Sequence, residues 1–230
     1  SRPYLNIDGS KLLNSNFYTL RATLQLKGRG ITVYETVYTQ KENGSPKLYQ
    51  RLLNGLKRVI PKQCRPILVT DAEFRVPWFK MVLKKGWDFI GRIRGDRYIA
   101  LDSHLCGYNH VSEMYKAQKL EKPEALGYGE LNKTNSLEGY FYRYKSKPKG
   151  RHAYTRSGRH SETDKSKRYA KEHKEAWVLF SSLQMPARTI IRAYTNRMTI
   201  EENFRDTKSA RFGLALDLTR SKKRSAMSLC

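Results

Sequence analysis

The run Pro66-Ile67-Leu68-Val69-Thr70 constrains the fold more than any other part of this chain. It has no polar alternation, is too short for a helix, and stops at Asp71, the pattern of a parallel strand buried on both faces. A strand of that kind needs helices over it. Upstream, residues 4–8, 17–26 and 31–38 are rich in β-branched and aromatic side chains, and Gly28-Arg29-Gly30 marks a turn, so an antiparallel meander is predicted. Ser45-Pro46 then provides an N-cap and a first-turn proline, with Leu48, Leu52, Leu53, Leu56, Val59 and Ile60 as the apolar stripe of a helix. A second helix is predicted over residues 76–85, ending at Gly86, followed by a strand at Phe89-Ile90-Gly91-Arg92-Ile93. The order of three strands, helix, strand, helix, strand specifies an α/β class with a mixed sheet and flanking helices.

Beyond Gly95 the texture changes. Aromatic and charged residues alternate over residues 137–144, and residues 152–174 are polar, basic and almost free of aliphatic side chains. Between Arg143 and Lys174, twelve Lys or Arg face three Asp or Glu. A β-rich basic insertion is therefore predicted over residues 95–175, dividing a core whose parts are 1–94 and 176–217, with a basic tail at 218–230. A linker without a role is the plainer reading of the polar stretch. The tail sequence Arg220-Ser221-Lys222-Lys223-Arg224 mimics the composition of a nuclear localisation signal, but a phosphate contact or a frayed end is the preferred reading.

Charge narrows the partners. Forty-five Lys and Arg against twenty-one Asp and Glu give a net charge of +24, whose self-repulsion is relieved by a polyanion. Nucleic acid fits. No segment approaches 18 consecutive apolar residues and no basic amphipathic helix dominates, which argues against a membrane partner. Cys64, Cys106 and Cys230 are odd in number and lack CxxC spacing, so neither a disulfide framework nor a zinc module is predicted, and a reducing, cytoplasmic setting is expected. The start of the chain shows no signal-peptide h-region.

Residues 186–206 contain no internal Gly or Pro after Pro186 and predict one helix, with Ile190, Ile191 and Ile200 available to a core. Along it Tyr194, Arg197, Glu201 and Lys208 fall within roughly 80° of one another. Glu201 suits a divalent cation, Arg197 and Lys208 suit phosphate, and the Tyr194 ring suits a base or sugar. A solvated face with Arg197 and Glu201 paired four residues apart is the competing reading. Two-metal phosphoryl transfer uses carboxylates that are distant in sequence and convergent in space, and Mg²⁺ or Mn²⁺ favours such oxygen ligands. Asp8 ends the first predicted strand and Asp71 ends the buried run, so neighbouring strands would bring both to one sheet edge within reach of Glu201. Taken singly, an Asp after a strand is more often a turn or helix cap.

With these residues on the page, the chain resembles the DDE transposases of the insertion-sequence 4 family, and within it the Tn10 and insertion-sequence 10 type. The likeness rests on Ile7-Asp8-Gly9-Ser10, on Val69-Thr70-Asp71-Ala72-Glu73-Phe74 with Val76-Pro77-Trp78, and on Tyr194-x2-Arg197-x3-Glu201-x6-Lys208. It implies an RNase H-like core interrupted by a β-strand insertion. It further implies cut-and-paste chemistry on double-stranded DNA, two Mg²⁺ or Mn²⁺ ions held by Asp8, Asp71 and Glu201, and phosphate contacts from Tyr194, Arg197 and Lys208. A homodimer on DNA and a bacterial, nucleoid-associated location are implied as well. Trp177 matches the position where relatives stack a flipped base, with a core tryptophan as the alternative. Arg94 matches a position near the transferred strand, with a lone surface arginine as the alternative. Gly9 stands where relatives often carry Trp, and Glu73 where they carry a small residue. Relatives extend further at both ends, so a core fragment or truncated copy is expected. The readings from other classes are an inactive DNA-binding remnant and an RNA-binding protein that stacks bases on Tyr140, Tyr142 and Tyr144.

Overall fold

The meander forms. In the computed structural model, which describes residues 1–12, 15–102, 107–115, 120–147, 163–164, 175–209 and 211, it comprises β1 (Tyr4–Lys11), β2 (Phe17–Gln25) and β3 (Gly30–Thr39). A 3-10 turn and α1 (Pro46–Val59) follow, then β4 (Ile67–Thr70), α2 (Val76–Lys84) and β5 (Asp88–Ile93). β1 is antiparallel to β2 and parallel to β4, and β4 is parallel to β5. The resulting order, β3-β2-β1-β4-β5, is the mixed sheet expected of an RNase H-like α/β core. As its composition predicts, every residue of β4 is buried.

Local chemistry explains the flanking helices. The Ser45 hydroxyl accepts from Leu48 N at 3.2 Å at the start of α1, and Pro46 occupies a first-turn position where its missing N–H costs nothing. Leu48, Leu52, Leu53 and Leu56 are buried, but Val59, assigned to the same stripe from sequence, is 51% exposed because it lies at the fraying C-terminal residue. Gly55 sits in this helix because a Cβ there would lie 2.1 Å from the Tyr34 ring of β3. The glycine therefore sets how closely α1 approaches the sheet.

Two sequence expectations are corrected. The first strand does not end at Asp8: β1 continues to Lys11, still paired with β2 as far as Lys11↔Tyr18. What ends there is the parallel pairing with β4, whose last register pair is Ile7↔Thr70. Nor is the predicted helix over 186–206 one element. It divides into α3 (Ala187–Thr195) and α4 (Met198–Lys208). Across the junction Arg197 N bonds to Tyr194 O at 3.0 Å and Ile200 N to Arg197 O at 3.0 Å, the i→i+3 spacing of a tightened turn. The Asn196 carbonyl accepts from Thr199 N at 3.1 Å in the same spacing, and also from the Thr199 hydroxyl at 2.9 Å and the Asn6 amide of β1 at 3.4 Å.

The chain divides into two units. One contains Ser1–Arg92, Ser181–Gln184 and the residues from Arg192 onward; the other contains Ile93–Phe180 and Met185–Ile191. The second unit is built on β6 (Tyr98–Leu101), β7 (Asn109–His110), β8 (Glu124–Leu131), β9 (Leu137–Tyr144) and most of β10 (Trp177–Ser181), in the order β10-β9-β8-β6-β7. β8 and β9 pair antiparallel from Glu124↔Arg143 to Leu131↔Leu137. The Phe141 and Phe180 rings pack in its interior, tilted, with centroids 4.7 Å apart. The basic loop and basic tail inferred from sequence lie mainly outside the described residues. Among the described residues, no helix is long and apolar enough to cross a membrane.

Candidate active site

The sheet register builds the site. Ile7, Thr70 and Gly91 are partners across β1, β4 and β5, so the next positions on these parallel strands, Asp8, Asp71 and Arg92, come to the same edge one strand spacing apart. Asp8 is nearly buried, with its side chain 17% exposed. Its Oδ1 accepts from Gly9 N at 2.8 Å and its Oδ2 from Arg197 Nη1 at 2.7 Å. Desolvation by burial raises its pKa to about 7, with Asp71 and Glu201 pushing the same way and Arg197 and the Gly9 amide opposing. Asp8 therefore keeps its proton to a far higher pH than a free carboxylate. Asp71 Oδ1 accepts from Glu73 N at 2.9 Å, closing the turn after β4. Glu73 is itself raised above the usual carboxylate value by burial and by Asp71.

Glu201 and Lys208 come from α4. Glu201 lies in the first turn, about half exposed, and its Oε1 accepts from Arg197 Nη2 at 3.2 Å. Lys208, in the last turn, donates to Ser10 Oγ at 3.0 Å. Between β1 and α4 lies a cleft of about 630 Å³, bordered by Asp8, Gly9 and Ser10 on one side and Glu201, Arg205 and Lys208 on the other. Gly9 is required here by crowding: a Cβ would lie 2.9 Å from the Tyr38 hydroxyl. Tyr38 of β3 thus fills the space beside Asp8 that a side chain at position 9 would need.

Arg197 is the electrostatic centre of the cluster. Its guanidinium bridges Asp8 and Glu201, stands 5.8 Å from the Tyr194 ring centroid, and is only 11% exposed. Tyr194, expected to offer its ring to a ligand, lies within α3 and is only 5% exposed. Burial raises its phenol pKa, against the opposing pull of Arg197. Arg92, overlooked in the sequence, has Nε and Nη2 buried with no hydrogen-bond partner among the described residues. Its alignment with the aspartates depends on strand register, and the Arg92-Ile93-Arg94 segment alone gives no reason to favour it over Arg94.

The two remaining sequence candidates belong to the second unit. Arg94 pairs with Glu175 at 3.1 Å. Trp177 is half-buried, and its ring lies 5.6 Å from that of Tyr144. Of the proposed tyrosine platform, Tyr142 is 2% exposed and its hydroxyl accepts from Met185 N, so the middle ring is part of the interior.

The fit to divalent cations can be judged from the donors. Among the described residues, no three His, Cys, Asp or Glu side chains form a ready-made metal cage, because the Arg197 guanidinium links two of the three carboxylates. The set nevertheless has the required chemistry: hard oxygen donors, one largely desolvated, whose mutual repulsion calls for a cation. Arg197 meets that need in this structure, and its release would leave the carboxylates to an ion.

The family described as Transposase DDE domain matches residues 7–229 of the chain. No curated protein matches it.

Proposed function

The chain belongs to the family of transposase DDE domains, and from that membership and its carboxylate cluster we propose that it is a cut-and-paste DNA transposase of the insertion-sequence 4 type. The observation that supports this reading most is that Asp8 and Asp71 follow paired positions of the parallel strands β1 and β4, while Arg197 links Asp8 to Glu201 of α4. In the proposed reaction, water attacks the phosphorus at an element end, the P–O3′ bond breaks, and the departing 3′-oxygen takes up a proton. The new 3′-hydroxyl then attacks phosphorus in the opposite strand, breaking its P–O3′ bond and releasing the flanking strand as a 3′-hydroxyl while the element end closes into a hairpin. A second water breaks the hairpin's P–O3′ bond and restores the element's 3′-hydroxyl, which finally joins a target phosphodiester with release of the target's 3′-oxygen.

Two Mg²⁺ or Mn²⁺ ions held by Asp8, Asp71 and Glu201 would supply Lewis-acid polarisation of the phosphate and activation of the attacking oxygen. The chain's own cations do the rest. Arg197 exchanges its carboxylate partners for phosphate oxygens, Lys208 leaves Ser10 for the backbone near the cleaved end, and Arg92 offers its unsatisfied N–H groups to the same charge. Arg94 and Trp177, on either side of the basic insertion, contact DNA, with Trp177 stacking a flipped base. The protein acts as a homodimer on double-stranded DNA, within the bacterial cytoplasm.

Affinity cleavage tests the site. With Fe²⁺ and a reductant in place of the native ion, backbone cuts are expected next to Asp8, Asp71 and Glu201, suppressed by excess Mg²⁺ and reduced at all three positions by Glu201→Gln. Cuts confined to other segments, or a pattern indifferent to Glu201→Gln, would remove these residues from the metal site.

A further inference from the structure

α4 carries Glu201 and Lys208 but has little apolar grip: only Ile200 and Phe204 are buried among its eleven residues. At about 100° per residue, Glu201 and Lys208 lie within roughly 20° of each other, whereas Ile200, Asn203, Phe204 and Thr207 form a seam centred roughly 110° away. Something on that seam must fix the rotation of the helix, because turning it by a single residue position would carry the Glu201 carboxylate away from Asp8.

Arg21 occupies that place. It is 1% exposed in β2, and the register sets it directly between Asp8 of β1 and Glu35 of β3, so all three side chains share one face of the sheet. Its Nε donates to Glu35 Oε2 at 2.8 Å. Its Nη1 donates to Asn203 Oδ1 at 2.6 Å and Thr207 Oγ1 at 2.9 Å, and its guanidinium carbon lies 4.6 Å from the Phe204 ring centroid. Asn203 is held a second time, accepting from the Thr32 hydroxyl at 3.1 Å and donating to Gly30 O at 3.2 Å.

We propose that Arg21, fixed by Glu35, is a positioning residue that locks α4 onto the strand row containing Asp8 and thereby sets the Asp8–Glu201 geometry on which metal binding and strand cleavage depend. Two properties favour this over simple packing. The planar guanidinium spends its donors in fixed directions on the neighbouring strand β3 and on α4, which a lysine could not reproduce. Its helix partners are also short polar side chains on a seam where aliphatic residues would bury more apolar surface. The inference rests on the assignment of Asp8 and Glu201 above.

The test uses variants that leave no buried charge unpaired. Asn203→Ala combined with Thr207→Val removes the helix side of the contact and leaves Arg21 paired with Glu35; Thr207→Ser retains the hydroxyl as the conservative control. Expected results are a cooperative melt, duplex affinity within about twofold of the parent, and Mn²⁺ affinity and nicking kcat lowered roughly 10–100-fold, the range seen for groups that orient metal ligands. Thr207→Ser should stay close to the parent. A folded double variant with unchanged Mn²⁺ affinity and unchanged nicking would overturn the positioning role. A parallel Glu201→Gln measurement separates the two claims: if that variant also changes nothing, the site assignment fails; if it abolishes Mn²⁺ binding while the seam variant is unaffected, only the role of Arg21 fails.

Discussion

At the residue scale the decisive group is Arg197, because it holds the position a metal-free carboxylate cluster needs filled. Desolvated Asp8 and exposed Glu201 are bridged by one guanidinium at 2.7 and 3.2 Å. A fixed positive charge a few ångströms from a cation site opposes the ion by several kcal/mol at the effective dielectric of such sites, about 4 kcal/mol per unit charge at 4 Å. Arg197→Gln is therefore expected to bind Mn²⁺ at least about tenfold more tightly in the absence of DNA, while binding duplex DNA more weakly. Titration by Mn²⁺ spin resonance checks the first half, and affinity equal to or weaker than the parent's would show that Arg197 and the ion do not compete. Of these roles, the sequence revealed residue types and spacing: an acid and two bases recur at Arg197, Glu201 and Lys208. It did not reveal that Arg197 faces inward toward Asp8, since a solvated pair four apart has the same spacing. Arg92 and Arg21 escaped notice for a related reason. Their partners come from strands and helices whose register no local pattern encodes.

At the scale of elements, the meander, the capped α1 and the buried β4 were legible because each carries its own signal: alternation, a Ser-Pro start, and an unbroken apolar run. The limits of β1 and the division between α3 and α4 were not. β1 extends beyond Asp8 because β2 continues to pair with it, and the helix tightens at Asn196 because Asn6 and Thr199 compete for its carbonyl. Gly9 shows how such tertiary constraints fix identity within an element. Its missing Cβ makes room for the Tyr38 hydroxyl at 2.9 Å, which lies on the far side of a buried strand pair. Gly9→Ala should destabilise the fold by about 1–3 kcal/mol through overpacking, and Tyr38→Phe in the same chain should recover a large part of that loss. Denaturant unfolding of the single and double variants measures the coupling. Additive effects would mean that the hydroxyl is not what excludes a side chain at position 9.

At the scale of the whole molecule, two electrostatic facts coexist. The chain carries +24 net charge, yet its candidate active site places Asp8 and Asp71 at one sheet edge and Glu201 on the flanking α4, with Arg197, Lys208 and Arg92 beside them. A strongly basic protein gathers polyanion without specificity, whereas oxygen donors interleaved with cations are the mixture that phosphodiester chemistry with a divalent ion requires. Composition made the first half plain, and only the mixed sheet with its flanking helix makes the second half spatial. The most direct measurement is nicking of an end-labelled duplex by the full chain in Mg²⁺ or Mn²⁺, set beside the same assay with Glu201→Gln. The expected result is metal-dependent cleavage leaving 3′-hydroxyl ends, with the variant reduced by more than the roughly 10–100-fold that loss of a supporting group costs while still binding DNA. Duplex binding without cleavage in either metal, or cleavage that Glu201→Gln leaves unchanged, would contradict the assignment.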